Sequence, residues 1–107
     1  MGDGQEATAL SAPVSLAASF DTTLAGGYGK VIGQDEGARG YPVPYAPMVN
    51  IVRLPQGGCD YETLGEDPQL AGAMAVENIK GIQRDQRRRG WQDAWPRTYS
   101  PRWTSGR

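Results

Sequence analysis

The order of elements along the sequence predicts an α/β fold: a helix, a strand covered on both faces, then a second helix, joined by short links. Three observations carry that prediction. Apolar residues recur at helical spacing between Asp21 and Gly40, residues 41–55 form an almost unbroken apolar run, and a capped amphipathic pattern runs from Asp67 to Gln83. One strand and two helices cannot close a parallel sheet, because such a strand exposes both edges and both faces until neighbours cover them. The elements therefore read as a piece of a larger α/β domain.

The first helix starts at Asp21, whose carboxylate suits an N-cap, and spaces Leu24, Tyr28, Val31, Ile32 and Ala38 along one side. Glycines at 26, 27, 29, 33 and 37 interrupt it. At about 1 kcal/mol each they cost on the order of 5 kcal/mol of helix preference, so a sheet is expected for this helix to lean on. After a break at Gly40, "YPVPYAPMVNIVRLP" lacks clean alternation, as a doubly covered strand should. Pro42, Pro44 and Pro47 each remove a ladder donor and keep that strand short. In the second helix Asp67 supplies the cap and Pro68 the first helical position, and Ala71, Met74, Ala75, Ile79 and Ile82 line one face up to "GIQ". No internal repeat is present.

Composition limits the chemistry. The chain has 107 residues, enough for one small domain, but only 38% are apolar and 15 Gly plus 8 Pro make its backbone costly to order. Cys59 is the one cysteine, which excludes an internal disulfide, and His is absent. The usual zinc ligand sets, the usual proton shuttle and Ser-His-Asp or Cys-His catalysis go with it, and neither metal nor cofactor is expected. No apolar run approaches the ~20 residues of a membrane span. The start "MGDGQEATAL" lacks the basic and apolar regions of a signal peptide, so a soluble chain not exported by that route is expected, its compartment otherwise open.

Charge divides the chain. Residues 1–83 carry four Lys and Arg against ten Asp and Glu, whereas residues 84–107 carry seven Arg against Asp85 and Asp93, together with all three Trp. So abrupt a shift marks two segments of different character.

"PVSLAASFD", "APMVNIVRLPQGGCDYETLGEDPQLAG" and "GIQ" resemble the N-terminal barrel domain of family-3 glycoside hydrolases, the group of β-glucosidases and β-xylosidases. The likeness runs from about Ala9 to Gln83, and "ETLGEDP" is its most specific stretch. It implies a partial (β/α)8 TIM-barrel fragment of the helix-strand-helix type with an irregular C-terminal tail. The implied division is a disordered N-terminus at 1–8, the partial barrel domain at 9–83, and a basic Trp/Arg-rich tail at 84–107. In such a barrel the active site lies in the loops after the strands. The glycine pair and acids that follow the apolar run then form one of those loops. The implied reaction hydrolyses β-linked glycosides with retention, through a carboxylate nucleophile and a carboxylic acid/base about 5–5.5 Å apart.

Carried over position by position, the family pattern of "GGR", Asn or Asp, an aromatic and Glu matches Gly57, Gly58, Asp60, Tyr61 and Glu62, but places Cys59 where the family has Arg. By the resemblance that Arg donates hydrogen bonds to the sugar, so the exchange for a weak S–H donor should cost about 1.5–3 kcal/mol of sugar binding. A second pattern, Gly, any residue, then "EARA", reads "GQDEGARG" here, with Asp35 in the Glu place and Gly37 in the Arg place. The family's nucleophilic Asp, acid/base Glu and Lys-His pair have no counterpart in this chain. No catalytic residue is therefore assigned, and Asp60, Glu62, Cys59 and Arg53 are the substrate-binding candidates.

Each candidate also has a plainer role. Glu62, Glu66 and Asp67 precede a helix, where carboxylates meet the positive end of its dipole. Arg53 is expected to pair with one of these acids, Cys59 lacks a base to activate it, and Met48 and Met74 are expected to fill the core. The tail "RDQRRRGWQDAWPRTYSPRWTSGR" replaces the strand that family members carry after "GIQ", and its composition suits a segment read out of frame. Two alternatives to a glycosidase fragment are a binding protein that uses this tail on nucleic acid or an anionic surface, and a partner fragment that completes a barrel with another chain. The tail has one dense basic run and no nucleic-acid motif, so nucleic acid is not the favoured partner, and neither is a membrane.

Overall fold

A computed structural model describes residues 7–41 and 43–88. Its elements are three α-helices, α1 (Pro13–Ala17), α2 (Thr22–Ala38) and α3 (Pro68–Arg88), and a 3₁₀ turn at Asp60–Glu62. Helix α1 is not among the elements expected from periodicity. It opens on Pro13, whose missing N–H would have no partner in a first turn anyway, and it buries Leu16 and Ala17.

Both capping expectations hold. Asp21 Oδ1 accepts from the Thr23 N–H at 2.8 Å, and Asp67 Oδ1 accepts from the Gln69 N–H at 2.9 Å. Helix α2 ends at Ala38 and the chain turns away at Gly40, φ 78°, with the Gly40 N–H donating to the Gly37 carbonyl at 3.3 Å and the Tyr41 N–H to the Glu36 carbonyl at 3.0 Å. That double bond pattern satisfies the last carbonyls of the helix and needs a left-handed residue, which glycine supplies without strain.

The support of α2 differs from the expectation. It leans on α3, its most extensive partner, and not on a sheet. Its buried stripe is Ala25, Gly29, Gly33 and Gly37, one residue every turn, while Leu24 is 53% exposed. A methyl group at Gly29 would overlap the Asn78 carbonyl, one at Gly81 would overlap the Gly26 carbonyl, and one at Gly33 would sit 2.8 Å from the Ile82 carbonyl oxygen. The glycines that weaken α2 as an isolated helix are what let the two backbones touch.

On α3, Ala71, Met74, Ala75 and Ile82 are buried as expected; Ile79 is half-buried, and Asn78 takes the inward place beside it. The helix does not stop at Gln83. It continues to Arg88, burying Asp85 and Gln86, so the first turn of the basic segment belongs to α3. Residues 89–107 lie outside the described residues, and with them the reading of that tail as disordered, out of frame or nucleic-acid binding. Within the segment 1–8, expected to be disordered, the Thr8 N–H donates to Asp35 Oδ2 at 2.7 Å.

The middle of the helix-strand-helix expectation is corrected. Residues 43–54 are irregular and no strand forms among the described residues, so the described residues supply the helices of the expected arrangement without its strand and do not make up a partial barrel. A ladder needs a second strand, and Pro44, Pro47 and Pro55 withdraw donors from this one. The backbone bond that holds the segment runs from the Val52 N–H to the Gly65 carbonyl at 3.2 Å. The core joins Leu16, Ala17, Ala25, Ala71, Met74 and Ala75 to Leu64, which ties the 53–67 loop to the helices. Among the described residues no helix is long and apolar enough to cross a membrane.

Candidate functional site

The loop between the apolar run and α3 is built by short-range bonds. The Gly57 N–H donates to the Leu54 carbonyl at 3.3 Å and the Asp60 N–H to the Gly57 carbonyl at 3.4 Å, which turns the chain at the glycine pair. A methyl group at Gly57 would overlap the Asp60 carboxylate, so glycine there lets Asp60 fold back over the turn. The Glu62 and Thr63 N–H groups then donate to the Cys59 and Asp60 carbonyls at 3.0 and 3.2 Å. Buried Thr63 locks the end: its Oγ1 donates to the Asp60 carbonyl at 2.7 Å and accepts from the Gly65 N–H at 3.2 Å. Gly65, φ 95°, redirects the chain toward Asp67 and α3.

The turn separates the candidate residues. Arg53, Cys59 and Asp60 line one open groove of about 500 Å³, together with Asn50, Gln56 and Thr63. Glu62 lines a different cavity of about 220 Å³, with Tyr28, Met48, Leu64 and Asn78. The division follows from the 3₁₀ geometry: at three residues per turn, positions two apart point in clearly different directions. Cys59 is an exposed free thiol.

The expected pairing of Arg53 with an acid is not formed. Arg53 is exposed, and an ion pair joins Lys80 Nζ to Glu77 Oε1 at 2.7 Å on the surface of α3 instead. Glu66 and Asp67 are exposed at the start of α3, where Asp67 is the cap. Met74 fills the core, whereas Met48 is half-buried between the groove and the smaller cavity. Asp35, in the second family pattern, holds Thr8.

Two residues were not among the candidates named from the sequence, Tyr61 having entered only as the aromatic of the family pattern. The exposed Tyr61 hydroxyl is held above its ordinary pKa of 10.0 by a hydrogen bond with Glu62 and by that carboxylate's charge. Buried Asn78 was hidden inside an apolar helical pattern, and periodicity gives no signal for a polar residue in such a place. Among the described residues no group of three or more His, Cys, Asp or Glu is placed to hold a metal ion. The groove thus offers a guanidinium donor, one carboxylate acceptor, amide side chains and a thiol. That set suits hydrogen bonding to a polyhydroxylated molecule.

A helix-based fold carrying a Gly-Gly turn, an acidic 3₁₀ segment and a Gly-Glu-Asp-Pro helix start defines the class. The family model for the glycosyl hydrolase family 3 N terminal domain matches residues 1–90, and the chain belongs to that family. Among its relatives, the beta-glucosidase BoGH3A of Bacteroides ovatus is 42% identical over 78 residues, 73% of this chain and 10% of the relative. Beta-glucosidase B of Emericella nidulans is 39% identical over 80 residues, 75% of this chain and 10% of the relative. The crystal structure of DesR, a beta-glucosidase from Streptomyces venezuelae in complex with D-glucose, is 51% identical with a TM-score of 0.73, over 77% of this chain and 10% of DesR. The chain spans about a tenth of the length of the relatives it matches.

Proposed function

We propose that the groove of Arg53, Cys59 and Asp60 is part of the sugar-binding wall of a retaining β-glucoside-hydrolysing site, and that this chain unaided does not cleave glycosides. The observation that carries this reading is the separation of the carboxylates: Asp60 lines the groove, while Glu62 lines another cavity. Retaining hydrolysis needs two carboxyl groups about 5–5.5 Å apart on either side of one glycosidic bond. Asp60 and Asn50 accept from sugar hydroxyls, Arg53 donates to them, and Cys59 leaves one donor position weak.

Two measurements test it. Purified chain incubated with a chromogenic aryl β-glucoside should release no phenolate above the uncatalysed rate; turnover that disappears in Asp60→Asn contradicts the reading. Calorimetric titration with D-glucose should show binding strengthened at least about tenfold in Cys59→Arg, since a charge-assisted hydrogen bond replaces a thiol contact. A titration unchanged by that substitution removes the groove from sugar recognition.

A second reading has one observation in its favour. The 43–54 segment exposes Val49 and Leu54, 56% and 70%, without strand pairing. Such a segment suits a fragment that completes a barrel with another family-3 chain. Co-purification with a co-expressed family-3 fragment supports that reading, and separate elution of the two counts against it.

A further inference from the structure

Asp60 stands apart from the loop that carries it. Residues 53–59 are all exposed, whereas Asp60 is half-buried, and among the described residues no donor or cation meets its carboxylate. A carboxylate fixed by hydrogen bonds has its acceptor sites filled by the protein. This one is fixed by shape, and its sites stay open to the groove that it lines.

Two neighbours supply the shape. Gly57 has no Cβ, and one placed there would overlap the Asp60 carboxylate, so the carboxylate occupies the space that glycine leaves. Thr63 fixes the backbone on the other side. It is only 4% exposed, and its hydroxyl donates to the Asp60 carbonyl at 2.7 Å and accepts from the Gly65 N–H at 3.2 Å, both within the loop. A buried hydroxyl costs stability unless it is bonded, and these two bonds hold the 3₁₀ turn from which Asp60 projects. The next residue, Leu64, ties the loop to the core, so the Thr63 bonds shape the turn rather than anchor it.

We infer that Gly57 and Thr63 are positioning residues for sugar recognition: Gly57 leaves the space, and Thr63 fixes the turn, that together aim the Asp60 carboxylate at a sugar hydroxyl in the groove. This rests on the sugar-binding reading of the groove.

NMR titration of the full 107-residue chain with D-glucose tests the two separately. Asp60→Ala should weaken binding about tenfold, the size of a lost charge-assisted hydrogen bond. Gly57→Ala sits in an exposed turn where the three nearest atoms to the new methyl group all belong to the Asp60 carboxylate. It should weaken binding as much, with the circular dichroism and the unfolding midpoint close to those of the unsubstituted chain. Added to Asp60→Ala, Gly57→Ala should weaken binding no further, because the group it displaces is gone; a general loss of structure would add its effect in full. Thr63→Val should also weaken binding, and Thr63→Ser, which keeps the hydroxyl, should restore it. The inference is overturned if Gly57→Ala binds glucose like the unsubstituted chain, if its effect persists in full on top of Asp60→Ala, or if Thr63→Ser binds no better than Thr63→Val. Glucose binding that Asp60→Ala leaves unchanged, or no binding at all, overturns the sugar-binding reading itself and this inference with it.

Discussion

Helices α2 and α3 touch backbone to backbone, while the 43–58 segment that follows α2 is irregular, largely exposed and held by scattered turns. Both regions are rich in residues that favour neither helix nor strand. In α2 the glycines are used: each one that faces α3 removes the side chain that would keep the helices apart. In the 43–58 segment the prolines meet no paired strand among the described residues, and Gly57 serves only the local turn at Asp60. A residue's intrinsic cost is thus offset only where a second element meets it, and the candidate groove sits on the side of the molecule where that has not happened.

The sharpest way to break this contrast is a methyl group. Gly29→Ala places Cβ on the Asn78 carbonyl and should destabilise by about 3 kcal/mol or more, whereas Gly27→Ala, which meets nothing within 4 Å, should stabilise by about 0.5–1 kcal/mol. Urea or thermal unfolding reads both; equal effects would mean that the helices are not in contact there. Met74→Ala removes a fully buried side chain at the same core and should cost about 2–4 kcal/mol, while Leu54→Ala, at an exposed loop position, should cost under about 0.5 kcal/mol.

Smaller effects sharpen the picture at the helix ends. Asp67→Ala leaves the Gln69 N–H without its cap and should cost about 1 kcal/mol by the same unfolding assay, with Asp67→Asn close to neutral. Tyr28→Phe should cost about 1 kcal/mol through its bond to Ser11. Partial burial holds the Tyr28 hydroxyl above its ordinary pKa of 10.0, so its contribution is complete below pH 10 and lost as pH rises through the folded value. A stability–pH curve that declines there in the unsubstituted chain and is flatter in Tyr28→Phe checks the sign.

What was legible in the sequence follows from range. Asp21 and Asp67 were readable as caps because a carboxylate two residues from a free N–H is a local event. Met74 and Ile82 were readable as core from helical spacing. The role of Gly29 and Gly33 was not, since propensity counts glycine as a cost and the partners that use it, Asn78 and Ile82, lie about fifty residues later. For the same reason 41–55 read as a strand: its apolar run reports what it would do beside neighbours, and pairing is not a local property. At the candidate site, the residue types came from the family pattern, but the parting of Asp60 from Glu62 came from a 3₁₀ turn that no periodicity announces.

Residue-resolved amide hydrogen exchange tests most directly whether the chain is a closed helix pair joined to an unpaired segment. Amides at 29–37 and 72–82 should exchange slowest, and those at 48–54 should exchange at close to the unfolded rate apart from Val52, whose N–H is bonded to Gly65. Strong, alternating protection across 48–54, as in a paired strand, would contradict it.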